Sequence, residues 1–279
     1  MNSIFMRFPG GRAKALTLSY DDGVEQDRKL ISILNEYGIK CTFNINSGIF
    51  TPDGTSFPEG QIHRRLSEKE VVSLYKNSGH EVAVHSLTHP FLEQLPTYMV
   101  ANEILEDRKN LERLFGTIVR GMAYPFGTYS DEVVEVLKAS GIAYSRTVEA
   151  TEEFRIPTDW LRLPSTCHHN HPALSMLTDK FVTQAPSRAP WLFYLWGHSY
   201  EFEADNNWNL ISEFSEKVGR KDDIWYATNI EIYDYIQSYH RLLFSVDASI
   251  VYNPTVFTIY FDYNNHSYEV KPGQTLTLI

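Results

Sequence analysis

Apolar and polar positions along this chain follow two periods in turn. Short apolar runs of strand length recur at residues 15–19, 39–45, 81–84, 118–123, 142–145, 191–196 and 224–227. Between many of them lie stretches whose apolar residues return at helical spacing. Residues 27–37 carry Leu30, Ile31, Ile33 and Leu34 in that pattern and stop at Gly38. Ser67 and Glu70 form a capping box that opens a helix to about residue 77. Further helices are expected over 97–115, 131–140, 211–218 and 230–243. Strand followed by helix, repeated roughly seven or eight times, implies a parallel sheet. With that many units, and no glycine-rich dinucleotide fingerprint after the first strand, the expected α/β fold is a distorted (β/α) barrel of about seven strands.

The character of the chain changes near residue 245. From there to 279 it is rich in Val, Ile, Thr, Tyr and Phe, and Asn264-Asn265 separates two alternating runs as a hairpin turn would. The expected organisation is a barrel domain over 1–244 and a small C-terminal β appendage over 245–279, whose plain role is to cover a barrel edge.

Composition narrows the function classes. With 43% hydrophobic and 22% charged residues the 279-residue chain is globular, not disordered or fibrous. Its formal charge of −10 repels phosphate backbones, and no basic patch offsets it, which excludes nucleic acid as the expected partner. No apolar run approaches the roughly 20 residues of a membrane span. Residues 1–14 lack the apolar core of an export signal, which points toward the cytoplasm. Cys41 and Cys167 make no disulfide framework and favour a reducing compartment. Nothing in the pattern sets an oligomeric state.

A barrel of this kind carries its reactive side chains at the C-terminal ends of its strands. Polar residues follow the apolar runs there: Asp21 and Asp22 after the first, His85 and His89 after the third, Tyr124 to Gly127 after the fourth, and His198 after residues 191–196. Two adjacent carboxylates are costly unless a cation or a proton is shared, although Asp-Asp-Gly is also an ordinary turn. One of the pair could bind an ion while the other serves as a base. His85 and His89, four apart, would share one face of a helical turn and reach one ion. With Asp22 they make a two-histidine, one-carboxylate set that suits Zn²⁺ for hydrolysis or non-haem Fe²⁺.

In combination these segments resemble the polysaccharide deacetylases with the NodB homology domain, carbohydrate esterase family 4, over residues 13–245. Ser19-Tyr20-Asp21-Asp22 looks like that family's Thr-Phe-Asp-Asp motif, which would make Asp21 the general base and Asp22 a metal ligand. His85-Ser86-Leu87-Thr88-His89 matches its His-(Ser/Thr)-x-x-His motif and implies two metal histidines. Tyr124-Pro125-Phe126-Gly127 is similar to its third motif, where the N–H of Phe126 would help hold an oxyanion. Asp159-Trp160 is similar to an Asp-Trp motif in which Asp159 would orient the catalytic histidine and Trp160 would line the acetyl pocket. Trp196-Gly197-His198 stands where the family has Leu-x-His, making His198 the implied general acid.

The resemblance implies a metal-dependent hydrolase that removes acetyl groups from N-acetylated sugars, with Zn²⁺ as the divalent metal and Co²⁺, Ni²⁺ or Fe²⁺ as substitutes, and an acetylated carbohydrate as its partner. Hydrolysis of a non-sugar amide, a cyclic imide or a ureide is the alternative chemistry, and a silent carbohydrate-binding protein the alternative class. Two departures stand out. The family's third motif carries an arginine that orients the base where this chain has Ala123, so Arg120, Arg162 or no residue takes that part, and Trp196 replaces a small aliphatic residue. Tyr124, Phe126, Trp160, Trp196 and Tyr200 are the candidate substrate contacts, with Tyr200 and Phe202 expected to be exposed beside His198. His168, His169 and His171 are read as groove or surface residues, not as a second metal site. Residues Glu103, Glu106, Asp107, Arg108 and Lys109 are read as a solvated helix face.

Overall fold

The computed structural model describes residues 3–278. Its elements, in chain order, are β1 (Ile4–Arg7), β2 (Lys14–Asp21), α1 (Asp27–Glu36), β3 (Cys41–Ile45), α2 (Glu68–Tyr75), β4 (Glu81–Val84), α3 (Thr97–Phe115), β5 (Gly121–Ala123), α4 (Asp131–Ala139), β6 (Tyr144–Ala150), β7 (Leu163–Ser165), β8 (Cys167–His168), α5 (Leu174–Thr183), β9 (Trp191–Gly197), α6 (Ser199–Ala204), α7 (Trp208–Val218), β10 (Ile224–Tyr226), α8 (Asn229–His240) and β11 (Leu243–Phe244). Four short strands follow: β12 (Ile250–Tyr252), β13 (Ile259–Tyr263), β14 (His266–Val270) and β15 (Thr275–Thr277).

The large sheet is parallel and runs β7-β6-β5-β4-β3-β2-β9-β8, with β10 also on β2. Its two ends, β7 and β8, are separated in the chain by Thr166 alone, whose N–H donates to the Tyr194 carbonyl (2.8 Å). The segment 163–168 therefore joins β6 to β9 and closes a seven-stranded, irregular barrel, the α/β architecture expected from the alternation.

All eight residues of β2 are buried, as a central parallel strand requires. Leu16, Leu18 and Tyr20 join the apolar layer under the helices. Thr17, Ser19 and Asp21 alternate with them and carry a polar network instead. Thr17 donates to the Asn229 Oδ1 (2.7 Å), Asn229 donates to the Tyr194 hydroxyl (2.7 Å), and Asn44 bridges Ser19 and Asp21 (2.8 Å each). These bonds satisfy the side chains of Thr17, Ser19 and Asp21 inside the barrel.

The capping box at Ser67 and Glu70 is formed, and α3 spans the expected residues. Asn264 and Asn265 form the two-residue turn of the β13–β14 hairpin with positive φ (49° and 66°), the conformation its right-handed twist demands. Strand β1 pairs with β13, so the terminal β segment packs around Met6, Phe8, Tyr235 and Ile236 against α8. Both cysteines are buried and free. Among the described residues no helix is long and apolar enough to cross a membrane.

Candidate active site

The C-terminal ends of β2, β4, β5 and β9, with Arg146 from within β6, converge on one cluster. Asp22 follows β2, and His85 and His89 follow β4; their ligand atoms lie within 4.8 Å of one another. The two histidines do not share a helical turn as their spacing suggested. The chain reverses through left-handed Ser86 (φ 62°) and His89 (φ 61°), and the His89 N–H donates to the Ser86 hydroxyl (3.1 Å). Asn46 donates to the carbonyls of His85 and Ser86 and holds the reversal from below.

The donor set fits a divalent cation. His85 Nδ1 lies 2.8 Å from the Ala123 carbonyl, which places the ring proton there and leaves Nε2 with a lone pair facing the cluster. Burial pushes the pKa of His85 down and that of His89 to about 4, so both rings are neutral, as ligands must be. Burial alone would raise the Asp22 carboxyl, but the hydrogen bond from His63 and the charge of Arg65 hold it well below the usual range. Arg65 donates to Asp22 Oδ1 (2.8 Å), and His63 Nε2 sits 3.1 Å from Oδ2. A carboxylate accepts about four hydrogen bonds, so room for a cation remains.

Asp107 is wholly buried, not part of a solvated face, and raised to about 8 by that burial. It accepts the backbone N–H groups of His85 (3.1 Å) and Ser47 (2.7 Å), fixing the start of the loop that carries His85 and His89.

Asp21 occupies the centre of the cluster. Its Oδ2 lies 3.8 Å from His85 Nε2 and 3.8 Å from His198 Nε2. Burial would raise its pKa, but Arg146, His85 and His198 together bring it below the ordinary value. Arg146, 1% exposed at its side chain, forms the ion pair with Oδ2. It stands on β6 at the position in register with Ala123. Neither arginine considered from the sequence takes this part: Arg120 pairs with Asp234 (2.5 Å), and Arg162 with Asp131 (2.5 Å) and Asp159 (2.9 Å). The Arg146 guanidinium also lies 4.2 Å from the ring centre of Trp196, so the large residue in the Trp-Gly-His segment covers the relocated charge.

His198 is oriented by Glu201, and Asp159 is elsewhere. His198 Nδ1 lies 3.3 Å from Glu201 Oε1, and the backbone N–H of His198 donates to Oε2 (3.2 Å) in a capping box that starts α6. Asp159 instead caps the turn at Leu161 and binds Arg162. Burial lowers the His198 pKa, and the hydrogen bond of Glu201 with the charges of Asp21 and Asp22 more than reverses this. His168 and His169 each bring Nε2 within 3.1 Å of Glu201 Oε2. His168, His198 and Glu201 are close enough together to hold an ion. However, the Asn170 N–H donates to His168 Nδ1 (3.1 Å), which puts the ring proton on Nε2 and leaves no lone pair toward that point. Buried His169 explains Gly197, because a Cβ there would lie 2.0 Å from His169 Nδ1.

The expected substrate contacts separate into two groups. Phe126, Trp196 and Tyr200 border the cluster: the Phe126 ring is 4.6 Å from His89, and the Trp196 and Tyr200 rings are 5.8 and 5.1 Å from His198. Tyr124 is a core residue whose hydroxyl donates to the Leu161 carbonyl (2.7 Å), Trp160 packs edge-on against Tyr233, and Phe202 is fully buried. Arg146, Glu201, His63 and Arg65 carry no spacing signal. Only the basic pair Arg64-Arg65 in an acidic chain, and Glu201 three residues after His198, hinted at them.

Fold and site together define a (β/α) barrel with a two-histidine, one-aspartate centre and a buried aspartate and histidine beside it. Residues 9–145, just under half of the chain, match the family model for polysaccharide deacetylase. It is 30% identical over 156 residues to a chitooligosaccharide deacetylase of Rhizobium leguminosarum, covering 55% of this chain and 60% of that one. It is 28% identical over 140 residues to a peptidoglycan-N-acetylglucosamine deacetylase of Listeria monocytogenes, covering 49% and 26%. The matches thus span less than two thirds of these relatives. Among solved structures, a polysaccharide deacetylase from Mycobacterium smegmatis described as putative superposes with a TM-score of 0.58 at 16% identity, over 85% of this chain and 95% of that one. The family 4 carbohydrate esterase from Streptomyces lividans gives 0.51 at 13%, over 77% and 93%. These likenesses show the fold.

Proposed function

We propose that the protein is a metal-dependent hydrolase that removes acetyl groups from N-acetylated sugars of an oligo- or polysaccharide. The observation that carries this is Asp21 Oδ2 standing 3.8 Å from both His85 Nε2 and His198 Nε2, which sets a base, a metal ligand and an acid around one point. The names of the curated relatives supply the substrate class.

Asp22, His85 and His89 would hold the cation, Zn²⁺ first among the candidates. When bound it supplies Lewis-acid polarisation of the acetyl carbonyl and makes water more acidic. Asp21 takes the proton of the attacking water. Its ionised state at neutral pH, secured by Arg146, is the one a base needs. The N–H of Phe126 would help hold the developing oxyanion, as the motif resemblance implies. His198 gives its Nε2 proton to the departing nitrogen as the C–N bond breaks, leaving acetate and a free amine. Glu201 holds the opposite ring nitrogen and keeps the imidazolium form available. The test is acetate release from N-acetylated oligosaccharides by Zn²⁺-loaded protein beside its Asp21→Asn variant. Release by the parent alone supports the assignment, and no release from any glycan with one equivalent of metal bound removes it.

A further inference from the structure

We propose that Phe91, with Phe126, forms an aromatic platform that seats a sugar ring of an N-acetylated oligosaccharide beside the metal centre, making Phe91 a specificity-determining residue. The proposal rests on the deacetylase reading and names the subsite that reading leaves open. Phe91 and Phe126 stack with ring centres 3.9 Å apart and planes 12° from parallel. The Phe126 ring meets His89 edge-on at 4.6 Å, so two ring steps lead from a metal ligand outward. Both side chains remain in water, at 41% and 49% exposure, although rings of this size are normally buried.

Phe126 also occupies left-handed backbone (φ 57°), which is unfavourable for a bulky side chain. Strain kept on a residue whose ring stays half exposed is a pattern that clusters at binding sites. The two loops are tied together by a hydrogen bond from the Thr128 hydroxyl to Glu93 (2.8 Å), so the platform exists before a ligand arrives. A pyranose ring has an apolar C–H face that an aromatic face can cover, and a polar rim that stays in water. Attachment of the acetyl group directly to the sugar keeps that ring, or its neighbour, within reach of the stack when the acetyl carbon is next to Asp21.

The experiment uses the Zn²⁺-loaded Asp21→Asn variant of the 279-residue chain, titrated calorimetrically with N-acetylglucosamine tetramer, with and without Phe91→Ala. Expected is a roughly 3- to 10-fold weaker affinity from loss of the stacked face, unchanged zinc content, and recovery in Phe91→Trp. In the active background Phe91→Ala should raise KM for the tetramer by a similar factor and leave hydrolysis of 4-nitrophenyl acetate unchanged. Equal affinity and equal KM, with deacetylation intact, would overturn the platform while leaving the proposed function standing. Absence of both binding and turnover of any N-acetylated glycan would remove the function and the platform together.

Discussion

Arg146 reaches the carboxylate of Asp21 from the β6 position that is in register with Ala123 on β5. Side chains at paired positions of neighbouring parallel strands project to the same side, so a guanidinium lost from one can be supplied by the other without moving the backbone. Trp196 stacks on that guanidinium, and the two departures from the family pattern are one arrangement.

Removing Arg146 leaves an unpaired carboxylate at 2% exposure. Arg146→Ala should cost about 3–5 kcal/mol of folding stability, the range for breaking a buried ion pair. Denaturant unfolding at neutral pH measures this. A change below about 1 kcal/mol would mean that Asn44 and water satisfy Asp21 unaided.

Asp21 and His85 should separate on metal binding. Asp21→Asn is expected to keep about one equivalent of zinc and lose turnover, whereas His85→Ala should lose both, as should the parent after chelation. Metal analysis beside acetate release decides it. Full activity in either variant would sink the site assignment.

Glu201, and not Asp159, is the carboxylate in contact with His198, the proposed acid. His198→Ala should lower kcat by on the order of 10² to 10⁴. Glu201→Gln should give a smaller loss with unchanged metal content. Asp159→Asn, which alters only contacts with Leu161 and Arg162, should match the parent. Inactive Asp159→Asn with native stability would return Asp159 to the mechanism.

Asp107, raised to about 8 by burial, makes stability fall with alkalinity. The sign follows from linkage: the folded state holds this proton more tightly than the unfolded chain, so the contribution is complete below the ordinary aspartate value of about 4 and is lost as pH climbs through about 8. Asp27 and Glu81, each raised to about 7 by burial, add to the same slope. Below about pH 6.5 the depressed His85 and His89 act in the opposite sense, so thermal midpoints should decline from about pH 7 to about pH 8.5. Asp107→Asn, which cannot titrate, should flatten the decline. Parallel slopes in parent and variant would refute the account.

Much of this was legible in the sequence where a periodic pattern or a short motif carried it. The barrel followed from alternating strand and helix signals, and α3 and the Asn264-Asn265 turn followed from local chemistry. Asp21, Asp22, His85, His89 and His198 stood out because each follows an apolar run. What escaped depends on tertiary placement. Arg146 sits inside a strand and shows its role only once β5 and β6 are paired. Asp107 reads as one charge among several on α3 until the fold turns it inward to meet the His85 and Ser47 amides. Asp159-Trp160 misled for the opposite reason, since two residues suffice for a local match but say nothing of which pocket they face. Strands β7 and β8 are too short to generate a period, although they close the barrel.

The pairing of β1 with β13 joins residues roughly 250 positions apart. During synthesis β1 emerges roughly 250 residues before β13, and until then its partner does not exist. Met6 and Phe8 are uncovered over that interval, along with the face of α8 that carries Tyr235 and Ile236. Shortened chains that stop before residue 259 would keep the proposed catalytic groups yet retain this sticky patch permanently, so their expected fate is association with one another or capture by a chaperone, and not a smaller working enzyme.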